Sequence, residues 1–74
     1  MNPRLGEYLW QAYRHDVLHE SVMVEKPELT DEMRTEAKAE IARIDALRLG
    51  ADLARRDFAS YQHRRALKAL LGEE

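Results

Sequence analysis

The stretch VEKPELTDEM, residues 24–33, divides the chain into two helical parts and decides the predicted fold. Pro27 has no backbone N–H and biases the residue before it away from helical dihedral angles, so a helix should end ahead of it. Thr30 is a favourable N-cap, and the two acidic residues after it complement the positive end of a helix dipole. We therefore predict a linker over residues 24–30 and a new helix from about residue 31.

A first helix is predicted ahead of the linker, from about residue 3 to residue 23. Asn2 is a favourable N-cap, and Pro3 suits the first helical position, where an N–H would have no partner within the helix. Apolar residues then recur at spacings near 3.6, the period of an amphipathic helix. They include Leu5, Leu9, Ala12, Tyr13 and Val17.

After the linker, an apolar stripe continues in helical phase towards the C-terminus. Gly50 is a possible C-cap, but a glycine inside a helix costs only about 1 kcal/mol relative to alanine. Because the stripe keeps its phase, we predict one long helix over about residues 31–71, kinked at Gly50, with two helices as the alternative. Gly72 would close the last turn ahead of an acidic tail at residues 73 and 74. The central part of the stripe consists of Ile41, Ile44, Leu47, Ala51, Ala54, Phe58 and Tyr61.

The predicted fold is all-α: a single domain, residues 1–74, in which a short helix packs against a long one as a hairpin. A helix of that length extends roughly 60 Å at 1.5 Å per residue, about twice the reach of the first helix. Half of its apolar stripe would face water unless a second copy covered it. We predict a homodimer with a four-helix arrangement, or a three-helix bundle within one chain if the chain turns at Gly50.

The composition fits a small helical domain that does not enter a membrane. A chain of 74 residues buries only about 60% of the surface that its unfolded state exposes, and without cysteine no disulfide supports the core. No apolar run approaches the roughly 20 residues of a membrane span, and the first residues do not resemble a signal peptide. We expect a cytoplasmic protein.

His15, Asp16 and His19 form the one arrangement that approaches a catalytic motif, the zinc signature H-E-x-x-H. Two histidines four residues apart on a helix can hold zinc, and a glutamate beside the first acts as general base. Here the acid is a shorter aspartate, no third ligand follows locally, and little chain is left to build a substrate cleft. We predict a partly exposed helix face, with His15 and His19 as a weak candidate metal pair, and we predict no catalytic residue, no enzyme activity and no cofactor.

Charge is unevenly distributed although the net charge is only −2. Residues 16–45 carry nine acidic and four basic side chains, whereas residues 48–71 carry six basic and two acidic ones. Three interpretations stay open: a solvated helix end, electrostatic docking to a protein, and binding of nucleic-acid phosphates. The candidate binding residues of this basic region are Arg55, Arg56, Arg64 and Arg65.

Three aromatic residues crowd the first helix. Tyr8, Trp10 and Tyr13 cannot all share one helix face, so at least one should be exposed or lie at an interface. Tryptophan, tyrosine and arginine are enriched in binding hot spots, which makes Trp10, Tyr13 and Arg14 candidate partner-binding residues. For Trp10 itself the first interpretation is packing in the core against the long helix, and an interface anchor is the second.

These features predict a small non-enzymatic interaction module that binds and occludes a surface of a larger protein. Adaptors, antitoxin-like modulators and phage-encoded inhibitors are of this kind, although fold class alone does not define function. The alternative function is a small dimeric nucleic-acid-associated regulator that uses the basic C-terminal region.

Overall fold

The computed structural model describes residues 1–72, which form four α-helices and one turn of 3₁₀ helix. No strand occurs in this part of the chain, and the prediction of an all-α protein is confirmed for it. The acidic tail predicted at residues 73 and 74 lies outside the described residues. None of the helices over residues 1–72 is long and apolar enough to cross a membrane. The helices are α1 (Pro3–Asp16), α2 (Asp31–Asp45), α3 (Leu53–Arg56) and α4 (Phe58–Leu71), and the 3₁₀ turn is Gly50–Asp52.

Three of the predicted helix ends are confirmed by their capping geometry. The Asn2 side chain accepts a hydrogen bond of 2.9 Å from the backbone N–H of Arg4 at the start of α1. The Thr30 hydroxyl accepts one of 3.1 Å from Met33 N–H at the start of α2. Gly72 ends α4 with a left-handed φ of 74°, the conformation that a glycine C-cap adopts most easily.

The prediction that the first helix runs to residue 23 is wrong, because α1 ends at Asp16. Residues 17–30, which we call the strap, have no helix or strand, and His19 within them has a φ of 55°. Two N–H groups of the strap donate hydrogen bonds to α1: Glu20 N–H donates to the Arg14 carbonyl, and Glu25 N–H donates to the Gln11 side chain. Local polar contacts of this kind compete with helical bonding, so the linker is twice as long as the predicted residues 24–30.

The prediction of one long second helix is also wrong. The chain leaves α2 after Asp45 and reverses through residues 46–52, where Arg48 and Gly50 adopt left-handed backbone with φ of 53° and 51°. A straight helix of roughly 60 Å would not fit within a molecule whose extents are 30 × 30 × 20 Å. The chain therefore follows the predicted alternative, a break at Gly50.

The core lies where α1 and α2 pack against α4. The hydroxyl of Tyr8 on α1 donates a buried hydrogen bond of 2.9 Å to the carbonyl of Ala66 on α4, which satisfies a polar group inside the apolar interior. From the strap, Val24 and Leu29 pack against the outside of this core. The buried residues of the cluster are Leu5, Tyr8, Leu9, Ala12, Met33, Ala37, Ala66, Leu67 and Leu70.

Candidate partner-binding surfaces

Trp10 and Tyr13 form a stacked aromatic pair on the outer side of α1. Their ring centroids lie 5.9 Å apart with 11° between the ring planes. Trp10 is 55% exposed, although it is the largest side chain in the protein. The prediction that Trp10 packs in the core is therefore wrong, and Tyr8 occupies the core position instead.

The helical period explains why Trp10 faces outward. The buried residues of α1 recur at spacings of three and four and define one face, which position 10 does not share. A helical side chain leans towards the turn before it, so Trp10 leans towards Gly6 and Tyr13 leans towards Trp10. Nothing lies within 4 Å of the position that a Cβ at Gly6 would occupy. The aromatic pair is thus bordered by open helix surface.

Arg14, the third candidate on α1, is engaged within the chain. Its Nε and Nη2 atoms donate hydrogen bonds of 3.1 Å to the two carboxylate oxygens of Glu20. This hydrogen-bonded ion pair raises the pKa of Arg14 and lowers the pKa of Glu20. Arg14 therefore holds the strap against α1. Arg14 would have to break its ion pair with Glu20 before it could contact a partner.

The four arginines of the basic region lie in different surroundings. Arg64 donates a hydrogen bond of 2.7 Å to Asp45 of α2, and Arg55 lies 3.9 Å from Asp52. Arg56 and Arg65 form no ion pair within 4 Å among residues 1–72. Adjacent in sequence, Arg64 and Arg65 line two different clefts. The structure does not gather the four arginines into one patch.

A second aromatic pair lies on α4. The rings of Phe58 and Tyr61 have centroids 5.8 Å apart, and Phe58 is 44% exposed. Arg65 and Lys68 follow at spacings of four and three, which places all four residues along one side of the helix. The buried residues of α4 lie on its other side.

The predicted apolar stripe is divided in the folded chain. Ile44 is buried and Ile41 packs against the core, so this part is covered within one chain. Leu47 is 42% exposed in the turn after α2, and Phe58 is exposed on α4. The interpretation of the stripe as one continuous face is wrong, because residues 46–52 reverse the chain within it. The remaining residues of the stripe, Ala51, Ala54 and Tyr61, lie at or after this reversal.

His15 and His19 do not share a helix face, because α1 ends between them. The Nδ1 atom of His15 lies 2.8 Å from Asp16 Oδ1, and the Asp16 Oδ2 atom accepts a hydrogen bond of 2.8 Å from Gln62. These hydrogen bonds, the one to His15 most strongly, lower the pKa of Asp16. No group of three or more His, Cys, Asp or Glu side chains in residues 1–72 could hold a metal ion.

The sequence reasoning missed a cleft of about 810 Å³ between the end of α1, the strap and α4. It also missed Gln62, which is only 3% exposed and ties α4 to Asp16. A glutamine on the inner side of an amphipathic helix was the available signal, since a buried amide needs a polar partner. No family model, curated protein or solved structure matches the chain.

Proposed function

We propose that the protein is a small non-enzymatic interaction module that binds another protein through the outer face of α1, with Trp10 and Tyr13 at the centre of the contact. The observation that supports this proposal is the exposed stack of these two rings. Tryptophan and tyrosine carry much of the binding energy in protein interfaces. Rings that are already stacked lose little conformational freedom on binding, which favours affinity.

The chemistry around the pair indicates an apolar partner pocket. Arg4 and Glu7 on the same helix carry opposite charges, and Arg14 is paired with Glu20. The face therefore has little net charge to steer a charged partner. Binding would occlude the surface into which Trp10 inserts, as an adaptor or inhibitor does, and we place this interaction in the cytoplasm.

A capture experiment with matched aromatic variants tests the proposal. The tagged chain, the Trp10→Ala variant and the Phe58→Ala variant are immobilised, and retained proteins are quantified by mass spectrometry. Phe58 is the control because it is also a half-exposed ring, and it lies beside a tyrosine three residues away with a tilt of 36° between the two rings. We expect one partner to be retained by the wild type and by Phe58→Ala and to fall at least about tenfold with Trp10→Ala.

Equal retention by all three chains would contradict the proposal, as would the absence of any specifically retained protein. Circular dichroism spectra and melting temperatures of the variants accompany the experiment. Because both rings lie outside the buried cluster, neither substitution should unfold the chain.

The second candidate function is binding of nucleic acid by α4. It is supported by the row of Phe58, Tyr61, Arg65 and Lys68 on one side of the helix, in which neither cation forms an ion pair within residues 1–72. Aromatic rings stack on bases and cations contact phosphates. We expect this function to give binding to single-stranded DNA or RNA in 50 mM salt that weakens steeply with added salt and with Arg65→Gln. Undetectable binding at that salt concentration would eliminate it.

A further inference from the structure

The cleft between α1, the strap and α4 has the volume of a small-molecule site. Its volume is about 810 Å³, and ligand sites in proteins commonly measure about 300–1,000 Å³. Small side chains leave this space open, since α1 contributes Ala12 and α4 contributes Ala66 and Ala69. The strap closes one side and is held there by the Arg14–Glu20 pair.

Part of the cleft wall is aliphatic. Val22, Met23 and Val24 of the strap line the cleft together with three alanines of the helices. Met23 is 78% exposed, so an unbranched and flexible side chain lies in solvent beside the cleft. Tyr8 lies at the inner end, and its hydroxyl already donates to the Ala66 carbonyl. An aliphatic chain would find apolar contacts here.

The polar side chains of the cleft include donors that can bind an anion. Besides Tyr8, they are His15, His19, Arg65 and a single acid, Asp16. Both oxygens of Asp16 are occupied, one by His15 and the other by the buried Gln62. Arg65 forms no ion pair within 4 Å with any residue in 1–72, although its positive charge acts on Asp16. The His19 side chain forms no hydrogen bond with any residue in this range. The cleft thus combines aliphatic side chains with two residues, Arg65 and His19, whose side chains have no hydrogen-bonded acceptor within residues 1–72.

We propose that this cleft binds a small carboxylate that carries an aliphatic chain. The chain lies against the alanines and valines, and the carboxylate accepts hydrogen bonds from Arg65 and His19. A guanidinium matches a planar carboxylate with two parallel hydrogen bonds. A single unpaired arginine beside Asp16 suits a monoanion better than a doubly charged phosphate. This site is separate from the aromatic face of α1 and does not depend on a protein partner there.

An NMR titration with sodium octanoate tests the proposal. Amide resonances of the ¹⁵N-labelled full chain are followed, and we expect saturable shifts confined to residues 12–24 and 65–69. The dissociation constant should be on the order of 1 mM, which is the strength expected for a ligand of about ten non-hydrogen atoms in an open cleft. Octan-1-ol and octylammonium, which have the same chain without the carboxylate, should bind at least about tenfold more weakly.

Matched variants locate the carboxylate and the chain. Arg65→Gln should weaken octanoate binding at least about tenfold, whereas Arg56→Gln, an unpaired arginine outside the cleft, should leave it unchanged. Ala69→Leu keeps a good helix former, fills the cleft and should abolish the shifts.

Four results would overturn the proposal. The first is that octanoate causes no saturable shifts in the folded wild-type chain. The second is that octan-1-ol binds as tightly as octanoate, and the third is that Arg56→Gln weakens binding as much as Arg65→Gln. Tighter binding of an apolar tripeptide than of octanoate would also overturn it, because the occupant would then be a peptide terminus.

Discussion

Arg48 and Gly50 both adopt left-handed backbone, with φ of 53° and 51°, and only Leu49 separates them. Together they reverse the chain between α2 and the 3₁₀ turn that leads into α3. Glycine reaches this region without steric cost, whereas a side chain with a Cβ is strained there. The reversal brings α4 back against α2 and so closes the core within one chain.

Whether Gly50→Ala raises or lowers the free energy of unfolding tests this reversal of the chain. At a φ of 51° the substitution should lower the free energy of unfolding by about 1 kcal/mol, because alanine is strained there. In a continuous helix the same substitution would raise it by about 1 kcal/mol. Urea unfolding followed by circular dichroism measures the difference.

Gly6→Ala is the matched control, since Gly6 lies inside α1 and no atom lies within 4 Å of its added Cβ. It should stabilise the chain by about 1 kcal/mol. If both glycine substitutions stabilise the chain, residues 46–52 are helical and the reversal is wrong.

Tyr8→Phe removes the hydroxyl that donates to the Ala66 carbonyl and joins α1 to α4. We expect the free energy of unfolding to fall by about 1 kcal/mol, the typical net contribution of such a bond. Tyr13→Phe is the control, because that half-buried ring lies outside the buried core cluster, and its effect should stay within about 0.5 kcal/mol. Equal effects of the two substitutions would mean that the Tyr8 bond does not stabilise the fold.

Leu67 lies fully buried between the helices, and Leu67→Ala should cost about 2–5 kcal/mol through lost apolar contact and the cavity left behind. The same truncation at Leu47, which is 42% exposed, should cost less than about 1 kcal/mol. Thermal melts of the two variants make the comparison. A larger loss of stability for Leu47→Ala than for Leu67→Ala would contradict a core in which Leu67 is buried and Leu47 is exposed.

The homodimer stays a prediction, and its surface would now have to include the exposed Leu47 or Phe58. Leu47→Glu should convert such a dimer to a folded monomer, because a charge buried at an apolar interface is strongly unfavourable. Light scattering over a hundredfold range of concentration measures the mass. If the wild-type chain is monomeric at every concentration in this range, the prediction of a homodimer is wrong.

The contribution of Asp57 to the stability of the fold should depend on pH. Its carboxylate accepts hydrogen bonds from the Ser60 hydroxyl at 2.7 Å and from the Ser60 N–H at 3.2 Å, which caps α4. These bonds, that from the hydroxyl first, lower the pKa of Asp57. An unfolded aspartate has a pKa of about 3.9. The stabilisation is therefore complete well above that pH and is lost as the pH falls through the lower pKa of the folded state.

Asp57→Ala should melt at a lower temperature than the wild type at pH 7, and the difference should narrow as the pH falls below about 4. Melting curves at pH 7, 5, 4 and 3 give the comparison. A difference that stays constant from pH 7 to pH 3 would show that the ionised carboxylate does not stabilise the cap.

The sequence predicted those parts of the fold that depend on neighbouring residues. Asn2 and Thr30 cap helices with their side chains, and Gly72 ends a helix with left-handed backbone, each at the predicted position. The caps are local, so no knowledge of the tertiary structure was needed. The exposure of one ring among Tyr8, Trp10 and Tyr13 followed from helical geometry in the same way.

Gly50 indicated the chain reversal only as an alternative, because the apolar stripe keeps its phase through it. Periodicity records only which residues are apolar, and it does not distinguish a continuous helix from two helices joined by a turn of suitable length. A left-handed arginine at position 48 is uncommon and carries no sequence signal. Asp57 and Ser60 did carry a capping signal, but the continuous stripe from Ala54 to Phe58 concealed it.

We propose that the outer face of α1 contacts a protein partner through Trp10, and this claim can be tested at the Trp10 ring itself. Because the chain has a single tryptophan, incorporation of 5-fluorotryptophan gives one ¹⁹F resonance that reports on this side chain alone. Its chemical shift is compared in H₂O and D₂O, with and without the partner retained by the wild-type chain. We expect a clear solvent isotope shift for the free chain, since Trp10 is 55% exposed, and its loss when the partner binds. A resonance that keeps its position and isotope shift in the complex would contradict the claim.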